Sequence, residues 1–165
     1  MLSHVQLIFF DFDGVFTDNA VYVDQNGVES VRCSRGDGLG VSLLRRCSVP
    51  MYILSTESNP VVSARAQKLG IKAFQSCGNK KDFLIDFFSK SEFSPKNMAY
   101  VGNDLNDFEA MLFAGCSVCP ADAHPRIVEI ADIQLTRAGG HGAVREFCEM
   151  LAEAQGKFSL SYSNL

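Results

Sequence analysis

Short apolar runs that alternate with amphipathic stretches are the feature of this sequence that most constrains its fold. Each apolar run has the length of a strand, and each amphipathic stretch has the apolar spacing of a helix. Because strands that are connected through helices pair in parallel, the alternation predicts an α/β fold, a parallel sheet flanked by helices. The predicted strands are Leu7–Phe10, Met51–Leu54, Ala73–Gln75, Met98–Val101, Ser117–Cys119 and Ile133–Thr136, and the predicted helices are Leu39–Arg46, Pro60–Leu69, Asp82–Phe88, Asp107–Ala114, Arg126–Ala131 and Ala143–Ala154.

One segment departs from this alternation. Residues 20–32 contain two short strand-like runs around Asn26-Gly27, a dipeptide that favours a tight hairpin turn. The hairpin is too short to cover a pocket as an independent domain, and an exposed two-stranded hairpin is only marginally stable alone. Packing against a neighbouring subunit would stabilise it, so the sequence predicts an oligomer.

The length and charge of the chain limit what it can be. Its 165 residues, 47% of them hydrophobic, are enough for one domain, which we assign to residues 1–156, and the small polar residues 157–165 are predicted to form a mobile tail. The net charge of -4 and the scattered basic residues argue against a nucleic-acid or membrane surface. No apolar stretch approaches the roughly 20 residues of a membrane helix, and the N-terminus lacks the basic segment and cleavage site that are typical of a signal peptide. We expect a cytoplasmic protein with a small-molecule ligand.

The six cysteines predict neither disulfides nor a zinc site. Their spacing is irregular and their neighbours are mostly apolar, which is typical of reduced thiols in a core. Cys116 and Cys119 form a single CxxC pair, but no histidine or second pair lies near it to complete a zinc site. We therefore expect both to be buried strand residues.

Polar residues follow several of the predicted strands. Asp11 and Asp13 come directly after the first strand, and because parallel strands end at one edge of a sheet, the groups that follow the other strands should gather beside them. Two neighbouring carboxylates repel each other unless one is protonated or a cation lies between them. The gathered groups are predicted to include hydroxyls, a lysine and further acids: Ser55, Thr56, Glu57, Lys80, Asp104 and Asp107.

Phosphoryl transfer requires a set of this kind. Asp11 can attack phosphorus, and Asp13 can protonate the leaving oxygen and later activate water. A magnesium ion between Asp11 and Asp104 would offset their charge and coordinate a phosphate oxygen. Ser55 and Lys80 would then hold the phosphate, although the adjacent Lys81 fits the same role. A signalling receiver uses similar groups, but it carries its phosphorylated aspartate after a middle strand rather than the first.

The sequence resembles the haloacid dehalogenase superfamily over most of its length. Residues 11–18, 54–57, 80 and 102–107 match its four motifs in order, and the likeness is greatest to capless sugar-acid phosphatases, which act on 3-deoxy-octulosonate 8-phosphate or on nonulosonate 9-phosphates. Residues 137–146 are similar to the glycine-rich C-terminal signature of that branch, and residues 36–40 fit the loop after its hairpin.

The resemblance implies a Rossmann-like fold in which a hairpin replaces the cap domain. It implies a magnesium cofactor, Asp11 as nucleophile and Asp13 as acid and base. The implied metal ligands are the Asp11 carboxylate, the Asp13 backbone carbonyl and Asp104, with Asp107 supporting them. It also implies a homotetramer in which a neighbour's tail or hairpin covers the open site.

Two positions bear on the substrate. Octulosonate phosphatases usually have arginine where this chain has Glu57, whereas the nine-carbon branch has glutamate there and basic residues that match Arg65 and Lys68. The resemblance thus implies substrate contacts from Thr56, Glu57, Arg65 and Lys68, and it favours the nine-carbon branch. At His141 relatives often have arginine. An alternative is a non-catalytic oligomerisation domain like those of acylneuraminate cytidylyltransferases, but those have lost the catalytic aspartates.

Overall fold

A computed structural model describes residues 1–158, so residues 159–165 of the predicted tail lie outside the described part of the chain. The strands are β1 Leu7–Phe10, β2 Thr17–Val23, β3 Glu29–Cys33, β4 Met51–Leu54, β5 Lys72–Phe74, β6 Met98–Val101, β7 Cys116–Cys119 and β8 Ile133–Gln134. Six of them form a parallel sheet in the order β5-β4-β1-β6-β7-β8. The predicted α/β fold is confirmed, and β1 lies between β4 and β6.

Helices cover both faces of this sheet. They are α1 Arg35–Arg46, α2 Pro60–Leu69, α3 Lys80–Ser89, α4 Phe108–Phe113, α5 Pro125–Val128 and α6 Ala143–Ala154. Side chains that alternate along β1 enter two different cores: Phe10 packs on Phe147, with ring centroids 6.2 Å apart, and Phe9 packs on Phe87 at 5.1 Å. Within residues 1–158, no helix is long and apolar enough to cross a membrane.

The predicted hairpin is present as a separate two-stranded sheet. β2 pairs antiparallel with β3, and the paired residues extend from Thr17 to Cys33, slightly beyond the predicted 20–32. Val21, Tyr22 and Val23 are 56%, 61% and 60% exposed, so the hairpin presents apolar side chains to solvent in the single chain. A subunit interface at this hairpin stays a prediction.

The start of α1 differs from the prediction. The helix begins at Arg35 rather than Leu39, so residues 36–38, which the resemblance assigns to a loop, belong to the helix as well. Ser34 caps it by accepting a hydrogen bond from the backbone N–H of Gly36 at 3.1 Å. A Cβ at Gly40 would lie 2.8 Å from Cα of Arg145, so glycine lets α1 and α6 pack closely here. Packing thus outweighs the poor helix propensity of glycine.

Four of the six cysteines are buried, as predicted for core thiols, whereas Cys33 and Cys47 are half-buried. All six are free thiols, and Cys116 and Cys119 are buried in β7. Burial raises the pKa of both thiols to about 11, so they stay protonated and unreactive at neutral pH.

Candidate active site

Most of the predicted site residues line one cavity at the carboxyl edge of the sheet. The cavity has a volume of about 350 Å³ and lies beyond the ends of β1, β4 and β6. Its lining residues are Asp11, Asp13, Asn19, Ser55, Thr56, Glu57, Asn103, Asp104 and Asn106. The topology therefore brings together residues that are far apart in sequence, as expected for an open α/β sheet.

The loop after β1 has a fixed shape that places Asp13 at the cavity. Phe12 and Phe16 are fully buried, and the carbonyl of Phe12 accepts the backbone N–H of Phe16 at 2.9 Å. Thr17 accepts the N–H of Gly14 through its hydroxyl oxygen at 3.0 Å and donates to Asp13 Oδ1 at 3.4 Å. Gly14 has a φ of +78°, and a Cβ there would lie 2.0 Å from the side-chain amide group of Asn103. Glycine is thus required both for this turn and for the close approach of the asparagine.

Lys80 joins two aspartates in the floor of the site. Its Nζ lies 2.7 Å from Asp11 Oδ1 and 2.7 Å from Asp107 Oδ1, and its side chain is 1% exposed. Lys81 is instead 40% exposed and lies 3.7 Å from Glu109. The structure thus places Lys80, and not Lys81, beside the predicted nucleophile.

Asp107 is a fully buried carboxylate that receives four donors. Its Oδ1 accepts Lys80 Nζ at 2.7 Å and the Tyr100 hydroxyl at 2.8 Å. Its Oδ2 accepts the backbone N–H groups of Asn103 at 2.9 Å and Asp104 at 3.3 Å. These bonds use both oxygens, so Asp107 supports Lys80 and the loop after β6 rather than facing the cavity.

Two residues of the site received no role from the sequence. Tyr100 belongs to an apolar run and was predicted only as a strand residue. Its hydroxyl could have indicated a polar site, because a buried tyrosine hydroxyl needs a hydrogen-bond partner. Asn103 places its side-chain amide 2.8 Å from the carbonyl oxygen of Asp13 and 3.3 Å from Asp11 Oδ2. Both neighbours are acceptors, so in this structure the amide nitrogen is assigned to face them and donate.

The site carries more carboxylates than its buried lysine can balance. Burial and the neighbouring charge of Asp107 raise the pKa of Asp11 to about 8, although Lys80 opposes the shift. Burial and the nearby Glu57 also raise the pKa of Asp13. Lys80 has a raised pKa because Asp11 and Asp107 together outweigh the effect of its burial, so it remains a cation.

These groups fit a hard divalent cation. Within residues 1–158, no cluster of three or more His, Cys, Asp or Glu side chains is arranged to bind a metal ion. The predicted ligand set does not require such a cluster, because it consists of two carboxylates, from Asp11 and Asp104, and the backbone carbonyl of Asp13. Asp11 Oδ2 and the Asp13 carbonyl converge on the Asn103 amide, and Asp104 lines the same cavity. Oxygen donors with an unbalanced negative charge are the environment that Mg²⁺ prefers.

The loop after β4 contributes hydroxyls and an acid to the cavity. Ser55 is 1% exposed, and its Oγ accepts the backbone N–H of Glu57 at 3.1 Å. That bond uses the oxygen as an acceptor, so the hydroxyl proton is available to a ligand. Thr56 and Glu57 are exposed on the cavity lining.

The two predicted basic contacts lie outside this cavity lining. Arg65 donates from Nη2 to the carbonyl of Ser34 at 2.7 Å, and its Nε is buried without a partner among the described residues. Lys68 is exposed on α2. Substrate contacts from Arg65 and Lys68 stay predictions.

His141 connects the glycine-rich C-terminal segment to the hairpin. Its Nδ1 lies 2.8 Å from the carbonyl oxygen of Gly139, and its Nε2 lies 3.0 Å from Arg32 Nη1. Because a carbonyl only accepts and a guanidinium only donates, the histidine carries its proton on Nδ1. A Cβ at Gly139 would lie 2.0 Å from the carbonyl oxygen of Gly14, so this segment packs directly behind the acidic loop.

The parallel sheet, with a ligand-sized acidic cavity at its carboxyl edge, defines a Rossmann-like α/β protein whose site lies at the strand ends. A family model described as haloacid dehalogenase-like hydrolase matches residues 56–147. The chain is also 37% identical over 156 residues to the 3-deoxy-D-manno-octulosonate 8-phosphate phosphatase KdsC of Escherichia coli K12. The aligned region covers 94% of this chain and 83% of that relative. The chain therefore belongs to the haloacid dehalogenase-like hydrolase family, and the predicted membership is confirmed.

Solved structures agree with this assignment. The octulosonate 8-phosphate phosphatase of Moraxella catarrhalis, in complex with a magnesium ion, a phosphate ion and a KDO molecule, is similar with a TM-score of 0.92, 30% identity and coverage of 96% of this chain and 92% of that one. The cobalt-bound octulosonate phosphatase of Haemophilus influenzae has a TM-score of 0.91, 31% identity and coverage of 98% and 95%.

Proposed function

We propose that the protein is a magnesium-dependent phosphatase that removes the terminal phosphate of an acidic keto-deoxy sugar phosphate. The observation that carries the proposal is Lys80, held 2.7 Å from both Asp11 and Asp107 beside the acid Asp13. The similarity to curated octulosonate phosphatases over nearly the whole chain supports phosphatase activity. The intact Asp11 and Asp13 disfavour the alternative of a non-catalytic oligomerisation domain.

The proposed chemistry proceeds in two steps on Asp11. In its ionised form, which the charge of Lys80 and of a bound cation would favour, Asp11 attacks phosphorus through a carboxylate oxygen, the bond from phosphorus to the sugar oxygen breaks, and Asp13 gives that oxygen its proton. Asp13, now a carboxylate, takes a proton from the water that attacks the aspartyl phosphate, which releases phosphate and restores Asp11. Burial and Glu57 raise the pKa of Asp13, which favours the protonated form that the first step needs.

Charge stabilisation is assigned to the groups around the phosphate position. Lys80 and the Ser55 hydroxyl would bind non-bridging oxygens from the floor and side of the cavity. Asp11, the Asp13 carbonyl and Asp104, with the Asn103 amide nearby, would hold a magnesium ion, which supplies positive charge to the phosphate.

The leaving sugar fits a second cavity that adjoins the first. This cavity has a volume of about 330 Å³ and lies between the hairpin and the start of α2. It shares Asp13, Asn19 and Glu57 with the phosphate cavity, so a sugar whose phosphate lies at Asp11 can extend into it. The curated relatives favour an eight-carbon substrate, whereas Glu57 with Arg65 and Lys68 favours a nine-carbon one.

We also propose that a neighbouring subunit completes the sugar site in a homotetramer. The lining of the second cavity includes Glu29 and Glu57 and no lysine or arginine, so within the described chain it offers no cation to a substrate carboxylate. Arg65, Lys68 or a second copy of the chain would have to supply it. The exposed apolar side chains of the hairpin support an interface there. Light scattering after size-exclusion chromatography should give the mass of a tetramer. The mass of a monomer would contradict the proposed subunit interface.

Steady-state hydrolysis of p-nitrophenyl phosphate with magnesium tests the activity. We expect Asp11→Asn to abolish turnover and Asp86→Asn, at an exposed position on α3, to leave it unchanged. Equal turnover in Asp11→Asn and the wild type would refute the mechanism. No activity on a broad panel would favour the oligomerisation domain, and a phosphorylated form stable for minutes would favour a receiver.

A substrate panel separates the two branches. Octulosonate 8-phosphate, nonulosonate 9-phosphates and hexose phosphates are compared by kcat/KM under the same conditions. A preference for either sugar acid assigns the branch. Equal low values on all three would contradict the proposed substrate class while leaving phosphatase activity itself intact.

A further inference from the structure

Tyr100 buries a hydroxyl beside the reacting groups. The residue is fully buried in β6, and its ring lies in the same apolar cluster as Phe9 and Leu84. Its hydroxyl donates to Asp107 Oδ1 at 2.8 Å. A close-packed core holds the ring in one orientation, so this donor has a fixed position.

The hydroxyl and Lys80 share one oxygen of Asp107. Lys80 Nζ is equally distant, at 2.7 Å, from that oxygen and from Asp11 Oδ1. Without the hydroxyl, Asp107 Oδ1 would have Lys80 as its remaining donor, and the attraction of Asp107 for the ammonium would grow relative to that of Asp11. The carboxylate would also lose one of the four contacts that fix its rotation.

We infer that Tyr100 is a positioning residue for the reaction: its hydroxyl holds Asp107 so that Lys80 stays directed at Asp11 and at the phosphate. Tyr100 does not line the phosphate cavity, so it acts through Asp107 rather than on the substrate. The inference rests on the proposed phosphatase function, because its effect is read in turnover.

Tyr100→Phe removes the hydroxyl and keeps the ring. The matched control is Tyr52→Phe, because Tyr52 belongs to β4 of the same sheet, packs 5.0 Å from the ring of Phe9, and has no hydrogen bond from its hydroxyl to the described residues. We expect Tyr100→Phe to lower kcat about tenfold, the size of one lost hydrogen bond to a charged group, and to change KM less than about twofold. Tyr52→Phe should change neither.

A double-mutant cycle with Asp107→Asn separates positioning from a general loss of stability. If Tyr100 acts through Asp107, then Tyr100→Phe should lower kcat much less in the Asp107→Asn background than in the wild type. Single-turnover measurements with excess enzyme extend the cycle to slow variants. Thermal unfolding of each variant shows whether it is folded at the assay temperature, and a variant unfolded there is measured at a lower one.

The possible results distinguish a positioning role of Tyr100 from the phosphatase function on which it depends. A loss of kcat in Tyr100→Phe that disappears in the Asp107→Asn background supports the inference. An unchanged kcat, an equal loss in both backgrounds, or a change confined to KM would overturn it while the wild type remains an active phosphatase. An inactive wild type would refute the proposed function, and the role of Tyr100 with it.

Discussion

Asp37 should make the stability of this protein depend on pH in a direction unusual for a carboxylate. It lies in the first turn of α1 and is fully buried. Its Oδ1 accepts the backbone N–H of Arg145 at 3.1 Å, and its Oδ2 has no hydrogen-bond partner among the described residues. Burial raises the pKa of Asp37 to about 6, although the Arg145 N–H and the charge of Arg65 act in the opposite direction.

The sign and size follow from this shift. The pKa of Asp37 is about 6 in the folded protein and has its ordinary value of 3.8 in the unfolded chain, so the folded protein binds the proton more tightly. The free energy of unfolding therefore falls as pH rises from about 4 to about 6 and then levels off. The gap of about two pKa units sets an upper limit of about 3 kcal/mol. About 2 kcal/mol of that is lost between pH 4.5 and pH 7.5.

Asp37→Asn removes this titration and keeps an oxygen for the Arg145 N–H. Urea unfolding of the variant and the wild type at pH 4.5 and pH 7.5 should show the variant gaining about 2 kcal/mol relative to the wild type at the higher pH. Asp24→Asn is the contrasting control, because the backbone N–H groups of Val28 and Asn26 lower the pKa of Asp24 and its contribution is lost as pH falls. Both pH values lie above the ordinary pKa of 3.8, so that variant should differ from the wild type by nearly the same amount at each. The same difference at both pH values for Asp37→Asn would refute the reasoning.

Three further changes have definite expected results. Lys80→Ala should lower kcat/KM by about a hundredfold or more because it removes the cation beside Asp11, whereas Lys81→Ala should leave it nearly unchanged in the same assay. In urea unfolding, Gly139→Ala should reduce the free energy of unfolding by about 3 kcal/mol, because the added Cβ would meet the backbone oxygen of Gly14. Gly78→Ala should leave it nearly unchanged, because a Cβ at that position meets no atom within 4 Å. Removing divalent metal with EDTA should abolish hydrolysis and added magnesium should restore it, a result that metal-independent turnover would contradict.

The location of the site could be predicted because it is a consequence of topology. Strand runs are readable from apolar pattern, and once they are parallel their ends must share one edge. That argument alone places Asp11, Ser55 and Asp104 together, and all three line one cavity. It does not say which way a helical side chain points, so Arg65 and Lys68 were predicted from resemblance and lie outside that lining.

The helix boundary at Arg35 shows a different limit. Three glycines at alternate positions indicate a loop by propensity, yet Gly40 is needed where the backbone of Arg145 comes close. The stabilising contact is between α1 and α6, which are about a hundred residues apart along the chain. A pattern read within one window cannot contain such a contact.

Asp107 combines what a local pattern specifies with what it omits. The spacing of Asp104 and Asp107 forms a capping box around a short 3-10 turn at Leu105–Asp107, so the backbone itself turns one carboxylate to the cavity and the other into the core. Inside the core that second charge requires donors, and the chain supplies them from two other elements, α3 through Lys80 and β6 through Tyr100. Sequence spacing thus indicates where a buried carboxylate lies, while its function depends on the partners that tertiary packing brings to it.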